Sequence, residues 1–428
     1  MILIEDTDEH ALRVVYRTGW SVTPDEEQAV ARIIASVRAD GDEAVVALTQ
    51  RFDWEQAHVG ALARSIPDLA MARELVPVEI AQAIDLAANR VERFHRAQHR
   101  ENIVYTEDDG THYEFRYEPL EAVAVYVPGG SAPLPSTVVM GTIPARVAGV
   151  PRIVVLTPPQ RDGTIHPAIL YAAARCGVHE LYAAGGAQAI AAAAYGTSVL
   201  QPVAGIVGPG NVWVTEAKRQ VFGTCAIDGL AGPSEVLVVA DSSAHTEFIV
   251  AELLAQAEHD PRARVAVVSE SRDLLDACMR ALAAIDIAAL PRASIITQVI
   301  AHQCYFIHAQ NRAGLFSVIS RFAPEHLSLM VADVQTYLPH VRHAGAIFAG
   351  DQTPVACGDY VAGTNHTLPT SGAARFSSGL SLAHFLRTST LVWNTEQRMR
   401  HDAPIIDAFA RFEGLYEHAK SARMRAPS

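Results

Sequence analysis

From residue 122 onward, short apolar runs alternate with stretches of helical periodicity, and this alternation narrows the fold more than any other feature. Ala122–Val127 ends in Pro128-Gly129-Gly130, and Ile153–Leu156 precedes a helical pattern around Ile169–Cys176. Glu180–Ala184 runs into Gly185-Gly186 and a helix through Ile190–Tyr195, and Val203–Val207 ends in Gly208-Pro209-Gly210. Strands with no polar face, joined by helices, predict βαβ units and a parallel sheet covered on both sides. The pattern resumes at Glu235–Ala240, with a helix near Thr246–Glu258. It continues through Val265–Val268, Ser294–Val299, Leu327–Val331 and Ala344–Phe348. A chain of 428 residues is too long for one ordinary core. The expected fold class is α/β, with two doubly wound, Rossmann-like domains.

The ends read differently. Thr23-Pro24-Asp25-Glu26 is a capping box with proline at the first helical position, and Val30, Ile33, Ile34 and Val37 follow at helical spacing before Gly41. Residues 1–22 carry Val14, Val15, Tyr16 and Trp20, too many apolar groups for so small a segment to bury, so it must dock on its own body or on a partner chain. After 381 the strands are expected to stop. Ile405, Phe409, Phe412 and Tyr416 then make one helical stripe that is exposed unless a neighbour covers it. The expected organisation is an N-terminal segment 1–23, a discontinuous α/β domain 24–125 and 235–380, a second α/β domain 126–234, and a helical segment 381–428.

Charge and composition exclude several classes. Thirty-four Lys and Arg against forty-seven Asp and Glu leave a net charge of −13, which argues against a nucleic-acid partner. No apolar run reaches the roughly 18 residues of a membrane span, and Met1–Asp6 lacks a signal peptide's basic start. Cys176, Cys225, Cys278, Cys304 and Cys357 are odd in number and form no CxxC pair. They read as reduced thiols of a cytoplasmic protein.

Several polar residues carry two readings each. Gln256 and His259 lie three apart on one expected helix, either as ligands to a cation such as Zn²⁺ or as a satisfied polar pair at the edge of a buried stripe. Asp359, bracketed by Gly358 and the Gly363–His366 stretch, either meets a ligand or caps its own turn. Glu325 and His326 stand at the mouth of a strand. They can act in series, imidazole as base and carboxylate activating water, although neighbours on an extended chain point opposite ways. The glycine turns at 129–130, 185–186 and 208–210 suit either phosphate binding or tight packing, and none matches GxGxxG. Glu413 and His418 are five apart, so one continuous helix cannot aim both at one point, and Gly414 marks a place for a bend.

Taken together, the motifs resemble the histidinol dehydrogenase family, collinearly over nearly the whole chain. The matching stretches are Tyr126–Pro133, Gly185–Ile190, Gly208–Asn211, Val214–Gln220, Ala231–Glu235, Gln256–His259, Pro324–Leu327, Gly358–Tyr360, Gly363–His366 and Glu413–His418. The resemblance implies NAD-dependent oxidation of histidinol to histidine through an enzyme-held aldehyde. It implies one zinc ion per subunit held by Gln256, His259, Asp359 and His418, with His326 as general base and Glu325 activating water. Ser234, His366 and Glu413 would contact substrate beside the metal ligands, and Tyr126, Gln188 and Asn211 would line the NAD site of domain 126–234. It further implies a domain-swapped homodimer, with Glu413 and His418 arriving from the other subunit and residues 1–23 acting as a dimerisation segment.

The residue types suit that chemistry. Histidinol offers an imidazole and an amine nitrogen to a metal held by N and O ligands, so the metal serves mainly as a template. With no thiolate among the ligands, Mn²⁺ or another divalent ion can replace Zn²⁺. The rival within the fold resembles sulfopropanediol dehydrogenase, which oxidises another small alcohol. Its anionic substrate would favour a basic pocket, whereas Glu413 favours the amine of histidinol. The rival outside enzymology is a metal- or nucleotide-binding protein without activity, against which the full set of ligands, base and acid argues.

Overall fold

Runs such as Ala122–Tyr126 and Glu235–Ala240 are buried on both faces, and each becomes a central strand of a sheet with helices on either side. The computed structural model describes residues 1–16, 21–129 and 133–426, so Trp20 and the glycine at 130 lie outside the described residues. In chain order the described strands are β1 (Ile2–Glu5), β2 (Ala63–Arg64), β3 (Ile103–Thr106), β4 (His112–Pro119), β5 (Ala122–Tyr126), β6 (Arg152–Leu156), β7 (Glu180–Tyr182), β8 (Gly205–Val207), β9 (Ala226–Ile227), β10 (Glu235–Ala240), β11 (Arg264–Ser269), β12 (Cys304–His308), β13 (His326–Met330), β14 (Ala346–Ala349) and β15 (Leu386–Trp393). Residues 1–98 with 121–385 form one compact unit, and 99–120 with 386–428 form another.

The first unit contains two six-stranded sheets, ordered β2-β7-β6-β5-β8-β9 and β1-β12-β11-β10-β13-β14. Every pairing in them is parallel except β2 with β7. In the first sheet the chain steps outward from β5 to β6 and β7, then returns to β8 on the other side. This opens a crevice at the carboxyl ends of β5 and β8. Gly208 turns the chain there at φ +113°, and a Cβ on it would sit 2.3 Å from the Tyr126 carbonyl oxygen, so only glycine fits. The turn is gripped on both peptide groups. Lys218 Nζ donates to Gly208 O at 3.0 Å, and Asp228 Oδ2 accepts from Gly208 N at 2.7 Å. Lys218 and Asp228 are themselves a buried ion pair.

The helix Pro24–Asp40 starts at the expected capping box, Thr23 Oγ1 accepting from Glu26 N and Glu26 Oε2 from Thr23 N. Its packing bears on where the domain edges fall. Val30, Ile34 and Val37, with Val45 of the helix Asp42–Phe52, share a core with Ala187–Ala194 and the first sheet. The reason is the helix Gly186–Tyr195, apolar all round, which needs cover on its outer side as well as on the sheet side.

The N-terminal segment docks on the chain's own body, one of the two outcomes its apolar content required. β1 pairs with β12, and Leu12 and Val15 of the helix Glu9–Val15 are fully buried against Leu237, Val239, Ile307 and Phe322. The segment expected to serve as a dimerisation arm thus buries these groups on the chain's own second sheet. The opposite face of that sheet, with Val236, Val238 and Val265, is covered by the helices Thr246–Ala257, Arg272–Ala283 and Ala293–His302.

The second unit corrects the expectation that strands end at 381. β15 pairs antiparallel with β4, and β4 with β3, followed by the helices Glu396–Phe412 and Tyr416–Met424. β4, His112–Pro119, is only partly buried and alternates in polarity, so a search for continuous apolar runs passes over it. Phe409 and Phe412 of the tail stripe are 68% and 92% exposed. The cysteines are free, and burial pushes the thiols of Cys176, Cys225 and Cys278 up to about 11 and that of Cys304 to about 12. No helix among the described residues is long and apolar enough to cross a membrane.

Leu12→Ala tests the docking of the N-terminal segment. Emptying a fully buried leucine site should cost about 2–5 kcal/mol in denaturant unfolding of the full chain, whereas a change on an exposed arm stays within about 0.5 kcal/mol.

Candidate active site

The expected catalytic pair lies at the amino edge of the second sheet, where β10, β11 and β13 begin side by side. Register sets Glu235 beside Arg264 and Val236 beside His326. Charged or polar residues thus open all three strands. Glu325 Oε2 accepts from Glu235 N at 2.9 Å, and Glu235 Oε1 accepts from Glu325 N at 3.3 Å, so the two glutamates lock each other's backbone. The other oxygen of Glu235 ion-pairs with Arg264, which also donates to Val15 O and lies 4.2 Å over the Phe322 ring.

This network sets the state of the base. His326 Nδ1 donates to the carbonyl of Glu235 at 3.0 Å, which leaves Nε2 as the nitrogen with the lone pair. Glu325 Oε2 stands 3.5 Å from Nδ1, so the two residues do meet, because Glu325 precedes the strand and escapes its alternation. Burial, reinforced by the charges of Glu235 and Asp359, raises the Glu325 carboxyl well above its usual range. Burial likewise lowers His326, against the opposing pull of Asp359. The lowered His326 stays a neutral imidazole, and its Nε2 is the atom open to take a proton.

The expected metal ligands reach the same edge from two helices that run back along the second sheet. Gln256 sits in the last turn of Thr246–Ala257, and His259 lies just past that helix, its amide donating to Gln256 O at 3.3 Å, not on the helix as spacing suggested. Asp359 sits in the helix Val355–Tyr360. The two helices are joined by buried Glu252, one turn before Gln256, whose carboxylate accepts from Val355 N at 3.2 and 3.3 Å. Asp359 acts electrostatically on Glu325, His326, His366 and Glu252, which places these groups in one cluster with His259. His366 Nδ1 donates to Asp359 O at 3.2 Å. Ser234 precedes β10, and its carbonyl accepts from Arg264 N.

Two buried atoms in this cluster lack a hydrogen-bond partner, the amide Nε2 of Gln256 and Nε2 of His366. Gln256 is 3% exposed, so its amide end is costly unless something else engages it. An amide turned by 180° presents its oxygen at the same place. Amide oxygen, imidazole nitrogen and carboxylate oxygen form a donor set that fits a borderline divalent cation. Among the described residues no three His, Cys, Asp or Glu gather as metal ligands, so the Gln256, His259 and Asp359 set needs its amide and a further donor. Glu413 and His418 lie in the second unit and are exposed. The helix ends at Phe412, Gly414 turns at φ +78°, and a new helix begins at Tyr416, which is the bend their spacing required.

The crevice of the first sheet is a cleft of about 890 Å³ lined by Tyr126, Gln188 and Asn211, with the helices Pro24–Asp40 and Asp42–Phe52 as its outer wall. Tyr126 Oη accepts from Gly186 N at 3.1 Å, and Asn211 Oδ1 caps the helix Val212–Val221 through Trp213 N and Val214 N. Two helix N-termini therefore open into the cleft, with Arg32 and Arg51 across from them, an arrangement that attracts anionic ligands.

Sequence reasoning missed Glu235, Arg264, Glu252 and the Lys218–Asp228 pair as functional supports. A lone charge at the start of an apolar run marked Glu235 and Arg264. Nothing local marked Glu252, whose partner lies 103 residues away.

The histidinol dehydrogenase family model matches residues 19–426 of the chain. A histidinol dehydrogenase from a Synechococcus strain is 44% identical over 416 residues, covering 97% of this chain and 96% of that protein. One from Geobacillus kaustophilus is 42% identical over 409 residues, covering 96% of each. A crystal structure of histidinol dehydrogenase from Elizabethkingia anophelis superposes with a TM-score of 0.92 at 34% identity, covering 99% of this chain and 98% of that one.

The outer wall of the cleft supplies a pH test. Burial raises the Asp53 carboxyl to about 6 from an unfolded value near ~3.9, so the folded state disfavours its ionised form. The destabilisation is absent at pH 4, grows as pH rises toward 6 and is complete above it. Asp53→Asn should therefore leave stability unchanged at pH 4 and raise it increasingly up to about pH 6. Urea midpoints of the two proteins at pH 4, 5, 6 and 7.5 measure the difference, and a flat difference would refute the desolvation argument.

Proposed function

The chain belongs to the histidinol dehydrogenase family, and from that membership we propose how its own residues carry out the reaction. Its activity is that of a histidinol dehydrogenase in histidine biosynthesis. The matched relatives carry that description, which leaves the sulfonate alcohol without support. The single observation that supports the mechanism best is the buried knot of Glu325, Glu235 and His326, which holds a neutral imidazole with Nε2 free.

Gln256, His259 and Asp359, with the partner subunit's His418, would hold a zinc ion. A divalent ion held there would supply a template that orients the substrate's reacting carbon. The cleft of Tyr126, Gln188 and Asn211 would hold NAD⁺, which supplies the hydride acceptor. His326 Nε2 takes the hydroxyl proton as the alcohol carbon gives up a hydride and becomes an aldehyde. Once His326 has passed that proton to solvent, Nε2 takes a proton from water that Glu325 activates as it adds to the aldehyde, giving a gem-diol. A second hydride and proton depart in the same way. The balance is histidinol, one water and two NAD⁺ giving histidine, two NADH and three protons. The partner subunit's Glu413 would meet the substrate amine, while Ser234 and His366 border the same space. Burial of Glu325 and His326 keeps bulk water from the aldehyde between the two steps. A homodimer with shared sites gives the exposed Phe409 and Phe412 a partner to cover them. The absence of a membrane-spanning helix among the described residues accords with a cytoplasmic enzyme.

Two experiments test the assignment of roles. His326→Ala and Glu325→Gln should retain zinc on metal analysis while losing about 10²–10⁴-fold in kcat, whereas Asp359→Ala should lose the metal itself. Zinc loss from either of the first two variants contradicts the separation of base from ligands. Mixing inactive Asp359→Ala and His418→Ala chains should restore part of the activity through hybrid dimers in which one site is intact. No recovery after verified subunit exchange would rule out the shared site.

A further inference from the structure

Asp53 closes the helix Asp42–Phe52 and stands where the cofactor cleft meets a second hollow of about 450 Å³. Phe52, Asp53, Pro128, Gly129 and Pro158 line both spaces. The Oδ2 atom of Asp53 is buried and accepts no hydrogen bond from the described residues. Two buried carboxylates nearby in sequence or function are better served. Asp42 accepts from Tyr182, Ser198 and Val199, and Glu252 accepts from Val355. An acceptor left bare in a cleft costs stability unless a ligand brings donors to it. Tyr126 stands within electrostatic reach across the cleft, and Arg32 and Arg51 line the same space. Those arginines suit the diphosphate of a dinucleotide, which leaves the carboxylate for a group that donates.

The orientation follows from the chain path. Residues 228–234 lead from β9 to the amino end of β10, so the reacting end of the cofactor must lie on the β8 side, near Asn211. The second hollow, with Gln160, Arg161 and His166, lies beyond the ends of β6 on the far side of β5. Asp53 lies at its entrance, toward the adenosine half. A dinucleotide fingerprint ordinarily draws its acidic residue from the sheet about 20 residues after the glycine turn. Here the acid comes from a helix that precedes the sheet.

We propose that Asp53 recognises the vicinal hydroxyls of the adenosine ribose and so selects NAD⁺ over NADP⁺, whose 2′-phosphate would set negative charge against this carboxylate. The inference rests on the cofactor placement given above.

Calorimetric titration of the full-length chain with NAD⁺ and with NADP⁺ tests it, on the wild type, Asp53→Asn, Asp53→Ser and Ser36→Trp. The last variant fills the cleft from its outer wall. Both Asp53 variants should bind NAD⁺ about 10- to 100-fold more weakly. Their preference for NAD⁺ over NADP⁺ should shrink at least about tenfold, while their melting temperatures at pH 7.5 stay at or above that of the wild type. Unchanged NAD⁺ affinity in both variants, or equal weakening of both dinucleotides, overturns the ribose assignment alone, provided Ser36→Trp abolishes binding. If Ser36→Trp binds NAD⁺ like the wild type, the cofactor placement fails and the assignment falls with it.

Discussion

The buried ion pair between Glu235 and Arg264 is the contact on which the site depends. Each side chain is almost fully enclosed, and neither charge is tolerable there without the other. Replacing the pair with apolar residues would satisfy packing, but it would remove the carboxylate that fixes the backbone of Glu325. The main chain of Glu235 completes the hold, its amide fixing the carboxyl of Glu325 and its carbonyl the ring of His326. Such second-layer contacts decide which imidazole nitrogen is available. Arg264 extends the same network to the carbonyl of Val15, so the helix Glu9–Val15 is tied to the base through one guanidinium.

The two sheets use opposite edges. The first presents its carboxyl edge, the usual place for a dinucleotide in a doubly wound sheet. The second presents its amino edge, where Glu235, Arg264 and His326 begin their strands. Residues 228–234 pass from the end of β9 to the start of β10, which brings one edge to the other within a short span. Two further contacts brace this meeting. Asn365 donates to Met140 O at 2.7 Å, and Gly232 donates to Thr370 Oγ1 at 2.6 Å. Neither sheet builds the site alone.

Fold class was legible because parallel strands buried on both faces leave unbroken apolar runs, as Ala122–Tyr126 and Glu235–Ala240 do. The capping box at Thr23 was legible for the same local reason. What the helix after Thr23 packs against was not, since an amphipathic stripe specifies that a face is buried but not which sheet buries it. β15 was missed because an antiparallel strand with one open face mixes polar and apolar residues. The candidates Gln256, His259, Asp359, Glu325 and His326 were singled out through ordered motifs, and their individual spacing decided little. Glu252 and Asp53 escaped because their meaning lies in what is missing or distant: a backbone amide 103 residues on, and a donor that none of the described residues supplies.

β1 has an implication for how the polypeptide is made. Residues 2–5 find their strand partner only at 305–308, and the carbonyl of Val15 finds its guanidinium only at 264. During synthesis this segment must wait, unpaired, until some three hundred further residues have left the ribosome. The first sheet needs no such delay, because its strands and covering helices lie between 24 and 227. Translation order therefore imposes an order of assembly in which the first sheet is finished while the second still lacks its edge strand.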